Sequence, residues 1–149
     1  MKLEYRLDDV LSNFPALWRY DDISLSELVC RMTCEYFYKD GKNYIVSATS
    51  KEPNNENIIY IKEEGFNSLD ERKYKHIGLE FKEVISKDIY NFIESKDLDS
   101  HDEALHYLHC DYVYLQRGNF LSEFKLDSRE LDEDRKCYIF YGNFTGRTI

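Results

Sequence analysis

The chain has 149 residues, no Pro-rich or Ser/Gly-rich linker and no fixed-period repeat, so one domain over residues 1–149 is expected, long enough to bury its own core. Its 42% hydrophobic and 15% aromatic content excludes a disordered chain despite 33% charged residues. A net charge of −9, from 29 acidic and 20 basic residues, excludes direct nucleic-acid binding as the main task, because phosphate affinity comes from Lys and Arg displacing counterions; a basic protein partner fits better.

Leu7, Val10, Leu11 and Phe14 keep helical spacing until Pro15, which predicts a short helix over residues 7–13. An aromatic connector follows over 16–20, where Trp18, the only tryptophan, is expected to pack on the core. Ser24-Leu25-Ser26-Glu27 is a capping box that starts a helical turn at Leu25. Cys30, Met32, Cys34, Tyr36 and Tyr38 then alternate, so the chain is expected to switch to strand near Val29. Asp40-Gly41 between two β-rich runs signals a hairpin, since both central residues of a type I′ turn need positive φ. In that register Tyr36 faces Ile45 and Phe37 faces Tyr44, leaving apolar groups on both faces. Such a hairpin calls for cover on both sides or for a homodimer.

Ile58 to Ile61 reads as a third strand completing a meander, and the charged stretch 66–74 receives no element. Ile77, Leu79 and Phe81 share one face of a further strand. Ser86 as N-cap, with Ile85, Ile89, Phe92 and Ile93 as a stripe, predicts a helix over 86–95. Ser100-His101-Asp102-Glu103 is a second capping box, and Ala104, Leu105 and Leu108 continue a brief helix. A second hairpin surrounds Gly118-Asn119, with Gly first as a type II′ turn requires. There Val113 meets Phe124 and Leu115 meets Ser122 towards the core, while Tyr112 and Tyr114 lie opposite Lys125 and Glu123 towards water. Residues 127–135 read as an acidic loop, 137–141 as an inner strand apolar throughout, and 142–149 as a fraying tail. Together these predict an α+β domain: a mostly antiparallel β-sheet, two hairpins plus additional strands, with two to four short helices packed on it.

No Gly-rich phosphate loop, G-x-S-x-G elbow, H-E-x-x-H pair or EF-hand loop occurs, so no catalytic residue is assigned. His106 with Cys110, and Cys30 with Cys34, would together offer an S₃N set for zinc, but neither pair has the two-residue spacing of a ribbon or knuckle. Ordinary reduced thiols, with no metal or cofactor, are the expectation. No run approaches the ~18 apolar residues of a membrane span and the first residues hold no apolar h-region, which points to a soluble cytoplasmic protein.

The candidate partner-binding residues are Tyr112, Tyr114 and Glu123 on the second hairpin with Asp127, Glu130, Asp132, Glu133 and Asp134 in the acidic loop. Acidic, Tyr-rich and free of catalytic motifs, the chain resembles in general character small immunity proteins that neutralise bacterial toxins and phage-encoded inhibitors of nucleic-acid defence systems. No motif carries that resemblance, and no residue role is transferred through it. It implies a non-enzymatic inhibitor of a basic protein, such as a nuclease or nucleic-acid-binding complex, acting by occlusion or nucleic-acid mimicry. The alternative is a small enzyme or ligand-binding domain whose pocket lies between sheet and helices and uses Cys and His.

Overall fold

The structure, a computed structural model, describes residues 1–65 and 70–149; the part of the charged stretch 66–74 that falls on 66–69 lies outside the described residues. Ten strands are described: β1 (Lys2–Leu7), β2 (Ala16–Tyr20), β3 (Tyr36–Lys39), β4 (Lys42–Glu52), β5 (Glu56–Glu64), β6 (Ile77–Ser86), β7 (Ile89–Leu98), β8 (Tyr112–Arg117), β9 (Phe120–Asp132) and β10 (Cys137–Thr148). Two α-helices, α1 (Leu25–Thr33) and α2 (His101–Leu108), accompany them. All ten strands belong to one sheet, in the order β2-β1-β5-β4-β3-β9-β10-β6-β7, with β8 added on β9. The first half of the long β9 pairs with β8 and its end with β3, while β10 runs along its other edge.

The sheet is mixed, which overturns the mostly antiparallel sheet read from sequence. Parallel pairings join β1 to β5, β3 to β9 and β6 to β10, stitching the local hairpins into one surface. Such pairings connect distant parts of the chain and leave no turn signal between the partners. The two α-helices sit at the two capping boxes, with Ser24 and Ser100 side chains accepting from the Glu27 and Glu103 amides. The other two predicted helices are absent. Residues 2–7 form a strand, followed by a single 3-10 turn at Val10–Ser12 held by the Asp9 carboxylate. Residues 86–95 lie across a hairpin: β6 runs through Ser86, the chain turns at Lys87 and Asp88, and β7 returns. Bulges at Phe81/Lys82 and Val84/Ser86 break the period-two pattern there, so that Ile85, Ile89, Phe92 and Ile93 fall at helical spacing by coincidence.

Both Asp-Gly and Gly-Asn hairpins have the predicted registers, with Tyr36 opposite Ile45 and Val113 opposite Phe124. Asp40 and Gly41 both have positive φ, 52° and 75°, as the type I′ turn demands. The strand switch expected near Val29 comes later, because α1 continues to Thr33 and places Cys30 and Cys34 one turn apart on its inner face. The acidic stretch from 127 belongs to β9 as far as Asp132, and only 133–136 turn. The tail does not fray either: β10 reaches Thr148, and Ile149 exchanges backbone hydrogen bonds with Leu121 at 2.9 and 3.2 Å.

Strand alternation divides the side chains into two layers. Phe37, Leu131, Phe81, Tyr138 and Phe140 face the main core, where Leu28 and Cys30 of α1 and Ala104 and Leu108 of α2 cover them. Tyr5 stacks on Phe37 at 4.0 Å, and Trp18 meets both edge-on. Cys137, Ile139 and Tyr141 point to the opposite face with Tyr74 and Val84. At Gly142, where β10 bulges against β9, an added Cβ would collide with the Lys125 carbonyl and lie 2.7 Å from the Phe124 ring. Gly142→Ala is therefore expected to cost about 1–3 kcal/mol of stability by overpacking, read as a lowered urea midpoint with an unchanged slope.

Candidate functional site

The face opposite the helices carries a cavity of about 400 Å³. Its walls follow from the alternation that fills the core: Tyr36 and Tyr38 flank the core residue Phe37 on β3, and Glu130 precedes the core residue Leu131 on β9. Tyr141 of β10 and Tyr90 of β7 pack on each other at 4.6 Å and close the other side. Asn43 of β4 lines the wall, and the exposed Glu64 at the end of β5, Asp88 of the β6–β7 turn and Asp127 of β9 stand around the mouth.

At the floor, Glu130 is only 6% exposed and accepts a hydrogen bond from the Tyr141 hydroxyl at 2.9 Å. Burial pushes its carboxyl up to about 7; the Tyr141 hydrogen bond and the charges of Lys82 and Arg135 oppose that shift, and Asp132 adds to it. Burial likewise raises Tyr36, Tyr38 and Tyr90, so the walls present neutral phenols. The two cations of the cavity are already engaged. Lys82 lies 3.5 Å from Asp70 and 3.7 Å from Glu80. Arg72 bonds Asp70 at 3.0 Å and lays its guanidinium 3.6 Å from the Phe92 ring centre. Burial raises Asp70, but the Arg72 amide and the charges of Arg135, Lys82 and Arg72 outweigh it and hold the carboxyl below its ordinary value.

The acceptors are not engaged to the same extent. Glu64, Asp88 and Asp127 make no side-chain hydrogen bond or ion pair among the described residues. Asn43 is 8% exposed, and its side-chain oxygen is buried without a hydrogen-bond partner among the described residues. A buried acceptor without a donor costs about 1–3 kcal/mol, and this one belongs to a residue that lines the cavity. The site is thus lined by tyrosines and carries unengaged carboxylates with no unengaged cation among the described residues.

The structure distributes the sequence-predicted residues over three places. Tyr112 and Tyr114 are exposed on β8, where the Tyr114 hydroxyl donates to Glu123 at 3.0 Å, and none of these three lines the cavity. Asp127 and Glu130 do line it. The remaining three acids are engaged with other parts of the protein. Asp132 is buried and bonded to Arg135, at 2.8 Å. Glu133 accepts from the Tyr20 hydroxyl at 2.6 Å and sits 3.4 Å from Arg31 and 3.5 Å from Lys39. The Asp134 carboxylate accepts the Asp40 and Gly41 amides at 2.8 and 3.0 Å, holding the first hairpin turn. Sequence reasoning missed Tyr36, Tyr38, Asn43, Glu64, Asp88 and Tyr90. The apolar groups on both faces of the first hairpin were the signal that its second face had something to do.

A second cavity of about 340 Å³ does lie between sheet and helices, lined by Arg31, Lys39, His76, His101, Glu27 and Glu133 among others, with no cysteine. Its Arg31 is spent on Glu27 at 2.9 Å and on Glu133. Burial pushes the Cys30 thiol up to about 12 and raises Cys34 and Cys137 as well, which disfavours the thiolate a nucleophile needs. Among the described residues no group of three or more His, Cys, Asp or Glu is placed to hold a metal ion, and no helix is long and apolar enough to cross a membrane. In comparisons with known proteins, no family model, curated sequence or solved structure matches this chain, which leaves its geometry to carry the functional reading.

Proposed function

We propose that the chain is a non-enzymatic acidic binding protein that neutralises a basic protein, such as a nuclease toxin or a nucleic-acid-binding defence complex, by occluding its basic surface or mimicking nucleic acid. The observation that carries this is the cavity opposite the helices, whose unengaged charged groups are carboxylates on a chain of net charge −9. Carboxylates on a stiff sheet cost little to organise and steer a basic partner from beyond contact distance. Tyr walls add apolar area with few rotatable bonds, as docking surfaces commonly do. The exposed Tyr112 and Tyr114, with Glu123, give the same chemistry on the second hairpin and extend the surface a partner would meet. A cytoplasmic setting suits the four free thiols.

The test is capture of host and phage-infected lysate proteins on the immobilised chain at low and high salt. A stoichiometric basic partner released by salt is the expected result, because rim electrostatics are screened within about 8 Å at physiological ionic strength. The Glu64→Lys, Asp88→Lys, Asp127→Lys variant should abolish that capture while leaving the circular dichroism spectrum intact, since all three side chains are exposed and unengaged. Failure to recover any basic protein at either salt, or full capture by the charge-reversed variant, overturns the proposal.

A further inference from the structure

We infer that the cavity opposite the helices receives a guanidinium group, the side chain of an arginine that the basic partner presents. The inference rests on the reading that a basic protein is the partner, and it names the group that enters. The charged groups left unengaged among the described residues of the site are all carboxylates, those of Glu64, Asp88 and Asp127; the Asn43 side-chain oxygen also lacks a donor, and the neutral Tyr36, Tyr38 and Tyr90 hydroxyls can donate or accept. Among the described residues an anion finds no spare cation there, because Arg72 and Lys82 are held by Asp70 and Glu80. The unbalanced charge at the site is negative, so the entering group brings positive charge and donors for the carboxylates.

Geometry selects guanidinium over ammonium. Aromatic side chains of Tyr36, Tyr38, Tyr90 and Tyr141 line the space, and a planar, weakly hydrated cation stacks on aromatic rings while its edge donates to carboxylates. An ammonium is strongly hydrated, has no face to stack and brings three donors where guanidinium brings five. The chain shows the same arrangement within this cavity: the Arg72 guanidinium lies over Phe92 while donating to Asp70. Asn43 adds what the acidic cluster alone lacks, a buried neutral oxygen without a donor at the wall of the cavity. A cavity of about 400 Å³ has room for a whole arginine side chain.

Argininamide and lysinamide, titrated into the ¹⁵N-labelled full chain at constant ionic strength, test this directly. Argininamide should shift the Asn43 side-chain amide together with backbone signals of β3, the β6–β7 turn and Asp127, and should bind about tenfold more tightly than lysinamide. The double variant Glu64→Gln, Asp127→Asn, isosteric and at exposed positions, should lower argininamide affinity by about tenfold with the rest of the spectrum unchanged. Tyr90→Ala should reduce the preference over lysinamide. Equal response to the two amides, shifts outside the cavity, or unchanged affinity in the double variant would falsify the assignment. The lysate capture separates the two levels. A captured basic protein that excess argininamide does not displace means docking on another face, so the arginine inference falls and the inhibitor reading stands. Argininamide binding at the cavity with no protein captured means the opposite: the guanidinium site stands and the inhibitor reading falls.

Discussion

Arg135→Met is expected to lower the free energy of unfolding by about 3–5 kcal/mol, more than the overpacking at Gly142 should cost. The guanidinium is almost fully buried and ties together three carboxylates from different parts of the chain. It donates to both oxygens of Glu80, at 2.6 and 3.0 Å, to Asp132 at 2.8 Å, and stands 3.6 Å from Asp70. Glu80 and Asp132 are 0% and 1% exposed, so removing the cation leaves two buried carboxylates without their main counter-charge. The nearby Tyr74 hydroxyl, 2.6 Å from Glu80, and Lys82 compensate only part of that. If the loss comes from stranded charge, neutralising the partners should return most of it. The triple variant Arg135→Met, Glu80→Gln, Asp132→Asn is expected within about 1–2 kcal/mol of the parent protein, because a buried ion pair is worth little against a neutral replacement. Equilibrium urea unfolding measures both. A loss below about 1 kcal/mol for Arg135→Met would show that the network behaves as a solvated surface pair.

The same network shows why one part of the site escaped sequence reasoning. Glu130 and Asp132 alternate with Leu131, a strand pattern, and Arg135 follows three residues after Asp132. Read as composition, that run is an acidic loop; read by period, it is a strand with one face in the core and the other over a buried cation. Local signals with a stereochemical cause did survive. The Asp40-Gly41 and Gly118-Asn119 turns fixed their registers because φ at those positions leaves few choices, and both capping boxes start helices because they satisfy orphan amides. The stripe over 86–95 had no such anchor and resolves into two bulged strands. The parallel contacts of β3 with β9 and β6 with β10 bring Tyr36, Glu130, Tyr141 and Lys82 together from four separate stretches. No periodicity within any one stretch encodes that meeting, so the cavity became visible only with the topology.

Glu130→Gln is expected to stabilise the protein by about 3 kcal/mol at pH 8–9 and to change it little at pH 4, a pH-dependent difference that isolates one carboxyl. Burial raises the folded-state carboxyl to about 7 from its ordinary 4.5. Below pH 4.5 both folded and unfolded states hold the proton, and the group contributes nothing. Between pH 4.5 and 7 the folded state retains a proton that the unfolded state has released, so rising pH pulls towards unfolding. The penalty is complete about one pH unit above the folded-state value of about 7. The groups facing Glu130 do not reverse this sign: the Tyr141, Tyr36, Tyr38 and Tyr90 phenols are raised and remain neutral, Arg135 is raised and remains cationic, and Lys82 and Asp132 are present in both parent and variant. Glutamine keeps an oxygen for the Tyr141 hydroxyl, so the packing should persist. Unfolding midpoints of parent and variant should therefore converge near pH 4 and separate progressively to about pH 8. A constant offset across that range would locate the effect in packing instead of ionisation. Stability and binding are also coupled here, because a cation entering the cavity relieves the charge that folding leaves buried. The variant that is more stable at about pH 8 should bind argininamide more weakly there, and a gain of stability without that loss would separate the floor carboxylate from the ligand.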